Sequence, residues 1–292
     1  MALALDDPEA TQAGPSPGAA QTATRPQTIE SEYEILEELG RGAMAIVYRA
    51  RERRLNRIVA LKVPLGGSFM RESEKQRFLI EARAAARLNH PNIVAVYGWG
   101  EHGGRPYFSM ELVSGRSLAA RAKDSPSTPH EAASLVRTIA QAIAYAHSKD
   151  VIHRDLKPAN ILVEENGQPK VADFGLAKEL DVGDAPTLTG QVLGTPAYLS
   201  PEQALGDTPK VGKASDIYGL GAVLYFLLAG RAPFQGASIP ELLQRVTLEE
   251  AKPVRSDRPT IPRDLEIICL KCLEKEPAKR YASANDLGGY AQ

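Results

Sequence analysis

Two cysteines in 292 residues are too few for a disulfide framework, and they imply a reducing compartment. Cys269 and Cys272 stand three apart in "LEIICLKCLEK", with no second pair and no preceding strand–helix–strand pattern. They therefore read as small apolar groups of a helix, not as redox or zinc ligands. No sign of charge dominates either: 35 Lys and Arg face 36 Asp and Glu, a net charge of −1. This excludes the basic footprint of a nucleic-acid binder and gives no attraction to an anionic membrane. The longest apolar run, "IYGLGAVLYFLLAG" at 217–230, falls short of the roughly 18–20 residues that cross a bilayer, and reads as a core helix. The start, "MALALDDPEA", lacks a basic n-region and a long apolar h-region, so no secretory leader is expected. A soluble, cytoplasmic chain is the expectation. No repeat of solenoid period is visible.

What is present is an ordinary globular share of apolar residues, 43%, enough to bury a sizeable core. Residues 1–30 are rich in Ala, Thr, Pro, Gly and Gln, and poor in large apolar groups. They cannot offset their ordering entropy, and a disordered tail is expected there. From Tyr33, "YEILEEL", "IVYRARE" and "IVALKV" read as strands separated by the turns "GRGAMA" and "RRLNR". "SEKQRFLIEARAAARLNH" reads as a helix capped by Ser73 and Gln76, with Phe78, Ala82, Ala85 and Leu88 on one face. "NIVAVYGWGE" and "PYFSMELV" are two further strand candidates.

After about Gly115 the pattern turns helical. Thr128, Pro129 and Glu131 form a capping box that opens a helix bearing Leu135, Ile139 and Ile143 four apart. More helices are expected over 215–230, 238–248 and 263–275. The fold class is α+β and bilobal. A small N-lobe of antiparallel sheet plus one helix spans 31–111, a hinge 111–115, and a larger, mainly helical C-lobe 116–292.

Chemistry-bearing residues recur along this frame. "LGRGAMAIVYRA" sets Gly40 and Gly42 on a turn between two strands. "VALK" puts Lys62 at a strand end, and Glu81 follows 19 residues later on a helix. "VIHRDLKPANILV" (151–163) holds Arg154, Asp155, Lys157 and Asn160 between two apolar clamps, and "VADFGLAKEL" carries Asp173, Phe174 and Gly175. "GTPAYLSPEQ" (194–203), "SDIYGLG" (215–221) and Arg280 close the series. Taken singly, each has a structural reading. A glycine hairpin is commonly only a hairpin, a lone strand lysine an edge residue, a lone helix glutamate a surface group.

In this order and spacing the set resembles the Hanks-type, eukaryotic-like protein serine/threonine kinases, most of all their bacterial members, from about Tyr33 to the end. The resemblance implies transfer of the γ-phosphoryl of ATP to Ser or Thr hydroxyls of proteins, with Mg²⁺. Asp155 would be the catalytic aspartate, Lys157 would reach the γ-phosphate, and Lys62 would hold the α- and β-phosphates, paired with Glu81. Leu39, Gly40, Arg41, Gly42, Ala43, Val47, Ala60 and Leu162 would surround the nucleotide. Met110 would be the gatekeeper, and the backbone of Glu111 and Val113 would meet the adenine. Asn160 and Asp173 would hold magnesium.

The third glycine of the phosphate loop is replaced by Ala45. His153 would pack structurally. Arg154 would receive a phosphate on the activation segment, Asp173 to Glu202, at Thr187 or Thr189. Thr195 would touch Asp155 and Lys157, Glu202 and Arg280 would form a buried ion pair, and Asp216 would fix the catalytic-loop backbone. Partners implied are protein substrates, the chain itself by autophosphorylation and a second copy in a back-to-back homodimer. No nucleic acid is implied. A pseudokinase scaffold is the alternative, and a small-molecule kinase a second; Lys157 with "GTPAYLSPEQ" favours a protein substrate. The chain ends at Gln292 near the last expected helix, so it reads as the cytoplasmic kinase domain of a longer, membrane-anchored protein.

Overall fold

The computed structural model describes residues 31–42, 45–65, 72–102, 104–124, 126–174 and 196–290. The expectations for the 1–30 tail, Ala43, Gly175, Thr187, Thr189, Thr195 and the Glu81 side chain lie outside the described residues.

Strand β1 (Tyr33–Arg41), β2 (Ala45–Glu52) and β3 (Arg57–Pro64) form an antiparallel meander. Helix α1 (Glu72–Ala85) follows, then β4 (Val96–His102) and β5 (Arg105–Met110). The sheet order is β1-β2-β3-β5-β4. Its inner positions are apolar: Val59, Leu61 and Val63 pack with Tyr33, Ala50 and Tyr107 in one cluster. Phe78 and Ala82 of α1 pack on Phe108 in another.

The bounds of α1 and β4 differ from the sequence reading. α1 begins at Glu72, so Ser73 lies inside it, and Gln76 Nε2 donates to Glu72 Oε1 at 3.4 Å. The helix ends at Ala85, so Leu88 no longer continues its stripe. Leu88 joins the core of the larger lobe, together with Ile93. The predicted strand from Asn92 also starts later, because residues 92–94 bond across to the larger lobe. Val94 N–H donates to Val171 O and Val171 N–H to Asn92 O, each at 2.9 Å.

The larger lobe carries a three-stranded sheet of β6 (Gly115–Ser117), β7 (Ile161–Glu164) and β8 (Pro169–Val171). Its helices are α2 (Leu118–Asp124), α3 (Pro129–Ser148), α4 (Pro201–Ala204), α5 (Lys213–Ala229), α6 (Ile239–Leu248), α7 (Arg263–Cys272) and α8 (Ala284–Tyr290). The capping box at α3 is formed: Glu131 N–H donates to Thr128 Oγ1 at 3.2 Å and Thr128 N–H to Glu131 Oε2 at 2.8 Å. Leu135, Ile139 and Ile143 are buried as their spacing requires. The apolar run at 217–230 becomes α5, the central core helix, and not a span; among the described residues no helix is long and apolar enough to cross a membrane. Cys269 and Cys272 are both free, and both lie fully buried against α5. Burial pushes both thiols up, so they are inert.

Candidate active site

Between the lobes, the loop from Val151 to Asn160 and the end of β8 bring the polar motifs together. The loop is anchored from below by α5. Asp216 Oδ1 accepts Arg154 N–H at 2.8 Å, and Asp216 Oδ2 accepts His153 N–H at 2.8 Å and His147 Nε2 at 2.7 Å. Arg154 sits at φ 63°, a left-handed conformation that a side chain adopts only when its surroundings hold it. The three donors on Asp216 supply that hold.

His153 is fully buried and its ring lies 4.6 Å from that of Phe174. Its Nε2–H donates to Ala172 O at 3.0 Å, while Nδ1 accepts Asp155 N–H at 3.2 Å. Those two bonds require the neutral tautomer. Burial pushes the imidazole pKa down, in agreement. So His153 ties the loop to the segment before Asp173.

Asp155 carries the convergent contacts. Its Oδ2 accepts Lys157 Nζ at 2.7 Å and Asn160 Nδ2 at 3.0 Å. Asn160 Nδ2 also donates to Asp155 O at 2.9 Å. With its NH₂ committed on that side, Asn160 presents its amide oxygen elsewhere. Ala172 N–H donates to Asn160 O at 2.8 Å, which fixes the spacing between Asn160 and Asp173.

Asp173, at φ 57°, receives Lys62 Nζ on Oδ1 at 2.8 Å. Burial pushes its carboxyl up, but the Lys62 ammonium pulls harder, and the pKa lies below the usual carboxylate value. Lys62 is aimed by β3, where it pairs with Val47 of β2 and Phe108 of β5.

Above the site, Gly40 and Gly42 lie at the β1–β2 turn, closed by Gly42 N–H donating to Ala45 O at 2.9 Å. Ala45 belongs to β2, opposite Pro64, and is not among the residues with positive φ. Its Cβ is therefore accommodated without backbone strain. Leu39 and Arg41 end β1, and Leu39 leaves 47% of its surface exposed. Ala60 is buried opposite Met110, and Leu162 lies on β7 opposite Ser117. A small cavity beyond Met110 is lined by Ala85, Val96, Phe108, Asp173 and Phe174. Glu111 N–H already donates to Ala95 O at 2.8 Å, which leaves its carbonyl as the group on offer; Val113 lies two residues on in the linking segment.

Below the loop, Gln203 Nε2 donates to Arg154 O at 2.7 Å, and Gln203 Oε1 accepts both the N–H and the hydroxyl of Ser200 at 3.1 Å. Glu202 and Arg280 make a buried bidentate pair at 2.8 Å, and Ser215 Oγ adds a 2.6 Å bond to Glu202. Arg154 Nε is buried without a hydrogen-bond partner among the described residues.

His147 and Gln203 were not singled out from sequence. His147 continues the 135–139–143 stripe by four residues, so its burial was legible there. Gln203 stands three after Ser200, the spacing of a capping box.

Oxygen donors at Asn160 and Asp173, a lysine bonded to Asp173, a glycine turn and an apolar cleft are the kinds of group that phosphoryl transfer needs. The chain belongs to the Protein kinase domain family, which matches residues 33–287. It is 42% identical over 270 residues to the serine/threonine-protein kinase PknB of Mycolicibacterium smegmatis, covering 90% of this chain and 43% of that one. It is 41% identical over 261 residues to the serine/threonine-protein kinase PrkC of Bacillus subtilis, covering 89% and 40%. The chain thus spans less than half the length of these curated relatives. Among solved structures, the PknI kinase domain of Mycobacterium tuberculosis matches with TM-score 0.70 at 27% identity, covering 89% of this chain and 94% of that one. A Rad53 structure in complex with AMP-PNP matches with TM-score 0.74 at 26% identity, covering 90% and 66%.

Proposed function

We propose that the chain transfers the γ-phosphoryl of ATP to serine and threonine hydroxyls of proteins. The observation that carries this is the Asp155 carboxylate, held by Lys157 and Asn160 and tied through Ala172 to the Lys62–Asp173 pair. Kinship with named serine/threonine kinases supports the hydroxyl specificity.

Phosphoryl transfer needs positioning and charge neutralisation more than covalent chemistry. Lys62 neutralises the α- and β-phosphates while Gly40 and Gly42 let backbone amides approach them, with Arg41 and Ala43 between and beside. Leu39, Val47, Ala60 and Leu162 enclose the adenine against Met110, and the Glu111 carbonyl and the Val113 backbone meet its polar edge. Glu81 is the partner assigned to Lys62. Asn160 and Asp173 would hold the magnesium ion, which would supply charge neutralisation for the phosphates. Asp155 orients the substrate hydroxyl and accepts its proton, and Lys157, bonded to Asp155, is the residue we assign to the γ-phosphate.

We further take residues 31–292 as one kinase domain with a hinge at 111–115, working in the cytoplasm. Thr187 and Thr189 are the self-phosphorylation sites that Arg154 would read, and a second copy pairs through the small lobes.

The test is incubation with labelled ATP, magnesium and a generic basic protein, beside Asp155→Asn. Phosphate transfer by the wild type that falls at least about a thousandfold in the variant is expected, since both positioning and proton acceptance are lost. Equal transfer by both would sink the assignment.

A further inference from the structure

The peptide unit that joins Arg154 to Asp155 is held at both of its polar groups. Its N–H donates to His153 Nδ1 at 3.2 Å. Its carbonyl, Arg154 O, accepts Gln203 Nε2 at 2.7 Å. A peptide unit is planar, so fixing its oxygen and its N–H fixes the direction in which the next side chain leaves. That side chain is Asp155. His153 belongs to the loop itself, but Gln203 stands 49 residues further along the chain. It lies in α4, leaves only 7% of its surface exposed, and follows Glu202, which Arg280 anchors at 2.8 Å. Its other amide atom, Oε1, accepts both the N–H and the hydroxyl of Ser200 at 3.1 Å. The side chain at 203 therefore accepts at one atom and donates at the other, which a primary amide does and a carboxylate does not.

We infer that Gln203 is a positioning residue for transfer: its amide sets the plane of the Arg154–Asp155 peptide and so aims the Asp155 carboxylate. The left-handed backbone at Arg154, φ 63°, makes an outside hold necessary, because such a conformation persists only where its surroundings over-determine it. The bonds from Lys157 and Asn160 to Asp155 lie within the loop and travel with it. Asp216 restrains the peptide before this one, through Arg154 N–H at 2.8 Å. Gln203 restrains the carbonyl that follows. Through Ser200 the same amide links the close of the 194–203 motif to the residue before Asp155.

This role rests on the transfer reaction proposed above, with Asp155 as its proton acceptor. The test measures kcat and KM of the whole chain for transfer to a generic basic protein, from about pH 6 to about pH 8.5, beside a melting curve for each variant. Gln203→Glu keeps an acceptor for Ser200 N–H, as glutamate does in a capping box, but when ionised it has nothing to donate to Arg154 O. At about pH 8.5 its kcat should be about tenfold below the wild type with KM for ATP unchanged, the effect of one lost hydrogen bond to a buried carbonyl. Protonated, the introduced carboxyl donates again, and burial against a carbonyl favours that form. The gap to the wild type should therefore close to within about threefold at about pH 6. Taking the ratio cancels the titration of groups that both proteins share, Asp155, His153 and Asp216 among them. Gln203→Leu can neither donate nor accept, and its kcat per folded molecule should lie about tenfold low at every pH. A Gln203→Glu gap that does not change with pH would overturn the positioning role. So would a Gln203→Leu protein whose kcat per folded molecule equals the wild type's, since a merely structural glutamine moves the melting curve alone. A wild type that transfers no phosphate at any pH would overturn the functional reading, and the role of Gln203 with it.

Discussion

Asp216 illustrates how a residue remote from the transferred group governs it. Its two oxygens take three donors, and two of these are the backbone N–H groups of His153 and Arg154 that precede Asp155. Asparagine keeps the shape but turns one acceptor into a donor, which then faces an N–H it cannot accept. Asp216→Asn should cost about 1–3 kcal/mol of stability, the usual cost of an unpaired buried polar group. It should also lower kcat more than it raises KM for ATP, because Arg154 loses the support for its φ of 63° and Asp155 moves with it. Steady-state kinetics beside a melting curve read both effects. Asp173→Asn is the contrasting case. Its carboxylate is held ionised by Lys62 and the amide keeps the volume, so transfer should be lost while the melting temperature changes by only a few degrees.

At the level of elements, the approach of α5 to its neighbours depends on two glycines. A Cβ on Gly219 would stand 2.7 Å from Leu156 Cβ, and one on Gly221 would stand 2.4 Å from Cys272 Cβ. Both distances are below contact, so the neighbour must shift. Gly221→Ala should destabilise by about 1–3 kcal/mol by forcing α7 off α5, with the loop chemistry intact. Gly219→Ala presses on Leu156, the residue after Asp155, and should lower transfer as well as stability. Comparing the activity of the two variants at matched fraction folded separates these outcomes.

Much of this element structure was legible beforehand. The α3 capping box and its 135–139–143 stripe follow from residue type and spacing, and β1 to β3 follow from β-branched runs between turn residues. Less legible was the stretch 86–95. Leu88 fits the α1 stripe and Asn92–Val94 fits a strand, but Leu88 packs into the core of the other lobe and 92–94 pair with β8. Local periodicity cannot report a competing partner that lies some 80 residues away. The cluster of Asp155, Lys157 and Asn160 was legible because it is contiguous in sequence. The contact of Lys170 Nζ with Glu111 Oε1 at 2.8 Å was not, since neither residue carries a pattern of its own.

Over the whole molecule, the larger lobe is fastened at its base by Glu202 and Arg280. The guanidinium is fully enclosed, and all five of its N–H groups have acceptors: both Glu202 oxygens and the carbonyls of Ala214, Glu274 and Lys275. One side chain thus joins α4, the start of α5 and the turns after α7. Removing either partner leaves a buried charge, so Arg280→Met should cost about 3–5 kcal/mol, whereas pairing it with Glu202→Leu should cost less than the two singles added. Burial pushes the Glu202 carboxyl up, but the bonds from Arg280 and Ser215 bring it below its unfolded value of 4.5. A depressed folded pKa gives stability that is present above the unfolded value and lost as pH falls through the folded one. The melting-temperature gap between the wild type and Glu202→Gln should therefore be widest near neutral pH and narrow steadily below about pH 4. A gap that stays constant down to about pH 3 would mean that Glu202 is not the proton-linked half of this joint, and that the carbonyl contacts of Arg280 hold the base of the lobe by themselves.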